Sequence, residues 1–122
     1  MKKKVLVIED NKINMKLVRT LLQIGKYEII EAEDAETGIE MAKTSSPDMI
    51  LMDIQLPGID GFEATAILKS DSVTMHIPIV ALTSYAMDGD KKRAKEVGCD
   101  GYICKPIDTR TFLKDIEKFF VS

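Results

Sequence analysis

Cysteine and histidine are nearly absent from this chain of 122 residues, which has two of the first and one of the second. Cys99, Cys104 and the lone His76 fall short of a structural zinc set, so the two thiols read as small buried side chains of a reduced, cytoplasmic protein. Long apolar runs are missing too. Val5-Leu6-Val7-Ile8, between Lys2-Lys3-Lys4 and Glu9-Asp10, is too short for a secretory core or a membrane span, which argues against membrane insertion. Positive charge is not in excess. A net charge of −3 and a pI near 5.2 provide no broad field for holding nucleic acid, so direct nucleic-acid binding is not expected. No glycine-rich phosphate loop follows the first apolar run; the acids of Glu9-Asp10-Asn11-Lys12-Ile13 would repel a phosphate that lacked a metal, which disfavours a flavodoxin-like nucleotide-binding module. There is no repeat, low-complexity tract or linker, and the length suits one domain, 1–122, with no output domain after it.

What is present is an alternation of short apolar runs with longer helical patterns. Val5 to Ile8, Met49 to Met52 and Ile79 to Leu82 are continuously apolar, as strands covered on both faces must be, whereas Glu28-Ile29-Ile30-Glu31 suits an edge. Ile13, Leu17 and Leu21 recur at helical spacing, as do Ile39 with Ala42, Phe62 with Ala66, and Ala94 with Val97. Phe112, Ile116, Phe119 and Phe120 share one face of a last helix, for which Asp108 or Thr109 is a suitable N-cap. Gly25 and Gly98 stand where helices stop, and Pro47 and Pro78 precede strands. The pattern predicts an α/β fold, a flavodoxin-like (βα)5 three-layer sandwich whose parallel sheet has the order 2-1-3-4-5 and its switch point between strands one and three.

Polar residues stand where the apolar runs end. Glu9-Asp10, Asp53, Thr83 and Lys105-Pro106 each follow a predicted strand, so a parallel sheet collects them along one edge, beside the Pro57-Gly58 turn. Three carboxylates against one ammonium leave negative charge that a single Mg2+ would neutralise, and such oxygen ligands suit a hard divalent ion. Taken singly, each residue has a commonplace reading: Glu9-Asp10 as a solvated turn, Asp53 as a cap, Thr83 as a strand-end hydroxyl, Lys105 as a solvated lysine. All of those readings would have to hold together for the convergence to be accidental. Lys91-Lys92-Arg93 with Lys95 reads as a solvated helix face, and the methionines read as core filler.

The segments VLVIEDN at 5–11, PDMILMDIQLPGIDGFE at 47–63, PIVALTSYA at 78–86 and GYICKPID at 101–108 closely resemble the receiver domain of bacterial response regulators, above all single-domain regulators of the DivK type and the receivers attached to hybrid histidine kinases. The resemblance spans essentially the whole chain. It implies that Asp53 is the phosphoacceptor, Glu9 and Asp10 the Mg2+-binding acids, Thr83 the switch hydroxyl, Lys105 the partner ammonium and Tyr102 the switch aromatic. Asp10 and Asp53 would each give Mg2+ an oxygen and the Gln55 carbonyl a third, with Glu9 acting through water. It also implies a cis bond before Pro106. The implied partners are a histidine kinase or a histidine phosphotransfer protein, and a downstream protein target.

A Mg2+-dependent aspartyl-phosphate phosphatase of the haloacid dehalogenase class would need a second acid where this chain has Gln55. A relay intermediate that only shuttles phosphate stays open. Kinase docking is expected along the first helix and the loop after Lys105, with Ile13 and Ile107 the favoured contacts and Met15 a third apolar residue nearby. The signal is expected to leave by helix four, strand five and helix five. The resemblance implies that Gln55 and Tyr85 occupy positions that tune dephosphorylation, while Ser84 stands where the family frequently has alanine.

Overall fold

The structure is a computed structural model that describes residues 2–83 and 88–120, with side chains described from residue 91 onward in the helix that opens at 88. Strands and helices alternate as β1 (Lys4–Ile8), α1 (Lys12–Ile24), β2 (Glu28–Ala32), α2 (Ala35–Ser45), β3 (Met49–Asp53), α3 (Gly61–Ser70), β4 (Ile79–Thr83), α4 (Asp88–Val97), β5 (Gly101–Cys104) and α5 (Phe112–Glu117). All neighbouring strands are parallel, in the order β2-β1-β3-β4-β5. This is the predicted flavodoxin-like sandwich, with the least apolar strand, β2, at one edge.

Alternation along the strands divides the core. Val5, Val7, Met49, Leu51, Val80 and Leu82 face α1 and α5, where Val18, Leu22, Phe112 and Ile116 meet them. Leu6, Ile8, Ile50, Met52 and Ile79 face α2 and α3 and pack on Ala35, Ala42, Ala64 and Leu68. Burial on both faces is why the central strands are apolar throughout.

Several local expectations are corrected. The buried face of α1 carries Met15, Val18, Leu21 and Leu22, while Ile13 is 80% exposed. Asn11 caps the helix by accepting from the Ile13 and Asn14 N–H groups, so Ile13 falls in a first turn that points away from the sheet and Met15 turns into the core. Of the favoured docking residues, Ile13 is therefore a surface residue, Ile107 half-buried against the core, and Met15 no surface residue at all. At α5 the helix begins after Thr111, and Asp108 instead closes a preceding turn, its carboxylate accepting from the Arg110 N–H and its carbonyl from those of Thr111 and Phe112. Cys99 and Cys104 are half-buried rather than buried, both free, and burial pushes the Cys99 thiol up. Met75 is exposed, so the methionines are not uniformly core. Among the described residues no helix is long and apolar enough to cross a membrane.

Candidate phosphoacceptor site

The ladder carries the functional residues to one edge. Asp53 ends β3 and pairs in register with Leu82; Thr83 ends β4 and pairs with Cys104. Glu9 and Lys105 extend the sheet by one residue each, the Glu9 N–H donating to the Ala32 carbonyl at 3.0 Å and the Lys105 N–H to the Thr83 carbonyl at 2.7 Å. Four strand ends thus hold these side chains on backbone that is hydrogen-bonded into the sheet. The Lys105-Pro106 peptide is cis.

Lys105 Nζ lies 3.1 Å from Glu9 Oε1 and 3.2 Å from Asp53 Oδ1, so one ammonium bridges two carboxylates. Asp53 Oδ1 also accepts from the Gln55 N–H at 3.1 Å. Carboxylate oxygens of Glu9, Asp10 and Asp53 gather within 4.8 Å of one another. Their burial differs: Glu9 is fully buried, Asp53 nearly so, and Asp10 faces solvent. The buried Glu9 Oε2 has no hydrogen-bond partner among the described residues. Burial pushes the Glu9 carboxyl up to about 7, the neighbouring Asp53 adds to the rise, and Lys105 opposes it. A buried carboxylate oxygen with nothing to accept from is costly. A cation held by these acids would relieve it, so the donor set fits a hard divalent ion.

The loop after Asp53 is shaped by two glycines. Gly58 has φ +74°, where a side chain would be strained. At Gly61 a Cβ would lie 2.7 Å from the Ile54 Cα, because the start of α3 closes against the end of β3, and the Gly61 N–H donates to the Ile54 carbonyl. Gly61 escapes a reading based on strand ends, although its place in a loop-to-helix step beside Asp53 is a usable signal. Asp60 and Arg93 were missed as well. Asp60 caps α3 through the Glu63 N–H and stands 3.9 Å from Arg93 of α4, whose guanidinium lies over the Phe62 ring at 4.6 Å. Thr83 is buried at the site edge, and Tyr102 is 40% exposed with Lys91 Nζ 5.2 Å above its ring. Ser84 and Tyr85 lie outside the described residues.

The sequence matches the response regulator receiver domain over residues 5–117. The chain belongs to the receiver family. It is 43% identical over 119 residues to the polar-differentiation response regulator DivK of Brucella anthropi, covering 98% of this chain and 97% of that one. The DivK of Brucella suis matches to the same extent. Among solved structures, the chemotaxis protein CheY4 of Vibrio cholerae superposes with a TM-score of 0.93 at 28% identity, covering 98% of this receiver and all of that chain. The receiver domain of a sensor histidine kinase from Pseudomonas aeruginosa, which has magnesium coordinated in its active-site cleft, superposes at 0.90 with 27% identity and covers 98% of each chain. This chain is accordingly a signalling receiver and not an enzyme of the ordinary kind, and its family works with histidine kinases or phosphotransfer proteins.

Proposed function

We propose that this receiver acts as a stand-alone response regulator, taking a phosphoryl group from phosphohistidine on Asp53 and signalling through protein contacts that depend on it. The single observation that carries the reading is the meeting of Asp53 with Lys105 and with the unsatisfied Glu9 at the end of the central strand. The DivK relatives, matched over 98% of this chain and 97% of theirs, support a response-regulator role, and the sequence reading of a cytoplasmic location is kept with it.

In the transfer, the P–N bond to the donor imidazole breaks as a P–O bond forms to a carboxylate oxygen of Asp53, and the imidazole leaves with the electron pair of the broken bond. Asp10, Asp53 and the Gln55 carbonyl would hold Mg2+, with Glu9 reaching it through water, and the ion would draw charge from the transferring oxygens. Lys105 sits where it can pair with one phosphoryl oxygen, and the Thr83 hydroxyl can donate to another. In this way the chain assists its own phosphorylation and, by the same groups, its hydrolysis. The phosphatase alternative lacks its second acid, since Gln55 occupies that position.

Phosphorylation adds charge and three strong acceptor oxygens beside Thr83. Drawing Thr83 toward them opens space for the ring of Tyr102, which begins on the surface under Lys91. The message then leaves by α4, β5 and α5. Kinase docking falls to the exposed Ile13 and the partly exposed Ile107 at the rim of the same edge. Incubation with acetyl phosphate and Mg2+, followed by intact mass, tests the core of this reading. Wild type should gain one phosphoryl group and Asp53→Asn none; an equal gain in both would remove Asp53 from its role.

A further inference from the structure

Helix α4 has no share in either large core. The cluster beside α1 and α5 and the cluster beside α2 and α3 take their buried side chains from other elements. Among the described residues α4 rests on a third and much smaller cluster, where its Ala94 meets Ile54, Phe62 and Ala81, with Val97 and Cys99 packed at the margin. Ile54 follows Asp53 directly, and its carbonyl accepts from the Gly61 N–H at 3.0 Å. Phe62 comes next in the first turn of α3. The helix therefore sits on the two ends of the phosphoacceptor loop.

Arg93 closes that contact from outside. Its guanidinium lies 4.6 Å from the centroid of the Phe62 ring and 3.9 Å from Asp60 Oδ2. Neither partner is free to move. Phe62 is buried, and the other oxygen of Asp60 accepts from the Glu63 N–H at 2.9 Å as the cap of α3. One side chain of α4 is thus joined to the residues on either side of Gly61, the glycine that packs on the Asp53 carbonyl. Lys91, two residues earlier and so on the other side of the helix, reaches over Tyr102 of β5 instead.

We propose that Arg93 is a positioning residue that restrains α4 in its resting place and thereby lowers the affinity of the site for a phosphoryl group. The proposal rests on the reading that α4 shifts when Asp53 is modified. Asp60 and Phe62 are fixed in α3 and cannot follow a moving α4, so a shift draws the guanidinium away from both. A contact held in the resting arrangement and given up in the shifted one opposes the shift, and by linkage it weakens whatever drives the shift by the same factor. An exposed cation over a ring together with a surface ion pair sets that factor at about five. A contact that served stability alone would favour both arrangements alike.

The test titrates beryllofluoride, a phosphoryl mimic, into the isotopically labelled full chain in Mg2+, with amide hydrogen exchange of α4 measured before addition and at saturation. Arg93→Ala should bind the mimic about fivefold more tightly than wild type. Its α4 amides should exchange about fivefold faster before the mimic is added and at the wild-type rate once it is bound. Arg93→Lys keeps a cation for the ring and should fall between the two. Asp60→Asn keeps a capping side chain without the charge, so it should also fall between them and should add nothing when combined with Arg93→Ala. The Arg93 side chain is 54% exposed, and its removal leaves the chain folded. Unchanged or weaker binding by Arg93→Ala overturns the proposal. So does α4 exchange that is faster by the same factor with and without the mimic. Failure of the wild type to bind beryllofluoride would count against Asp53 as the phosphoacceptor, and wild-type α4 exchange indifferent to the mimic against the exit reading; in either case the restraint falls with the reading beneath it.

Discussion

At the edge of the sheet where strands begin, charged groups are satisfied by the chain itself. Lys69 Nζ donates to the carbonyls of Met75 and Ile77 and to Asp100, whose carboxylate also accepts from the Ile79 N–H. Lys4 is tied by its N–H to Asp48 and by its ammonium to the Ser45 carbonyl. At the opposite edge, one ammonium serves two carboxylates and a fully buried oxygen of Glu9 has no partner among the described residues. Both edges use the same residue types on the same sheet. What separates them is completion: the first edge fastens loops to strands, while the second, on the proposed function, is finished by a cation and then a phosphoryl group.

The contrast can be broken most strongly at Lys105. Lys105→Ala removes the cation from between two buried acids, and the rate of phosphotransfer measured by rapid quench should fall by about a hundredfold, as when one positioned donor is removed from a reacting oxyanion. Loss of stability without loss of rate would make Lys105 a fastening of the ordinary kind. Lys69→Ala is the mirror experiment. It leaves the Met75 and Ile77 carbonyls and Asp100 without their common donor, and denaturant melts should show a loss on the order of 1.5–3 kcal/mol while the rate from acetyl phosphate stays the same. A slowed rate would mean that the two edges are not independent.

Glu9→Gln sharpens the comparison at its centre. Exchanging the unsatisfied buried oxygen for an amide group, which can donate to the neighbouring Asp53 and removes the repulsion between the two acids, should raise the metal-free melting temperature by a few degrees, equivalent to about 1 kcal/mol, and should reduce the stabilisation that Mg2+ adds. Asp10→Asn should weaken Mg2+ binding more than Glu9→Gln does. Calorimetric titration in the opposite order would exchange the direct and water-mediated roles.

The smallest effect belongs to the Arg19–Glu31 pair, bonded at 2.8 Å on the helix side of β2. Arg19 holds the Glu31 carboxyl below its ordinary 4.5, so its contribution to folding is present above that pH and fades as pH falls through the lowered value. The melting difference between wild type and Arg19→Ala should therefore be small at neutral pH and vanish in strong acid. A difference that grows with acidity would reverse the sign.

Strand order and the meeting of Glu9, Asp10, Asp53, Thr83 and Lys105 were legible because parallel strands buried on both faces are apolar, so the residue that breaks each run marks the strand end. The orientation of α1 was not. Ile13 has the spacing of a core residue, and only the Asn11 cap settles that it faces solvent while Met15 goes inward. The start of α5 was misplaced for a related reason: Asp108 can cap a helix or close a turn, and its local sequence does not distinguish the two. The unsatisfied oxygen of Glu9 and the Arg93 contacts with Asp60 and Phe62 depend on distances between elements far apart in sequence, which no local pattern records.

Backbone amide shifts on adding Mg2+ and beryllofluoride, read along the whole chain in wild type and in Thr83→Ala, test most directly whether the incomplete edge is the one that receives and passes on the signal. The wild type should move around Glu9, Asp53 and Lys105 and on through α4 and β5, leaving the amides near Lys4, Asp48 and Lys69 in place, while Thr83→Ala should move at the site and not in α4. Equal responses of α4 in the two proteins, or shifts centred on the strand-beginning edge, would contradict the account.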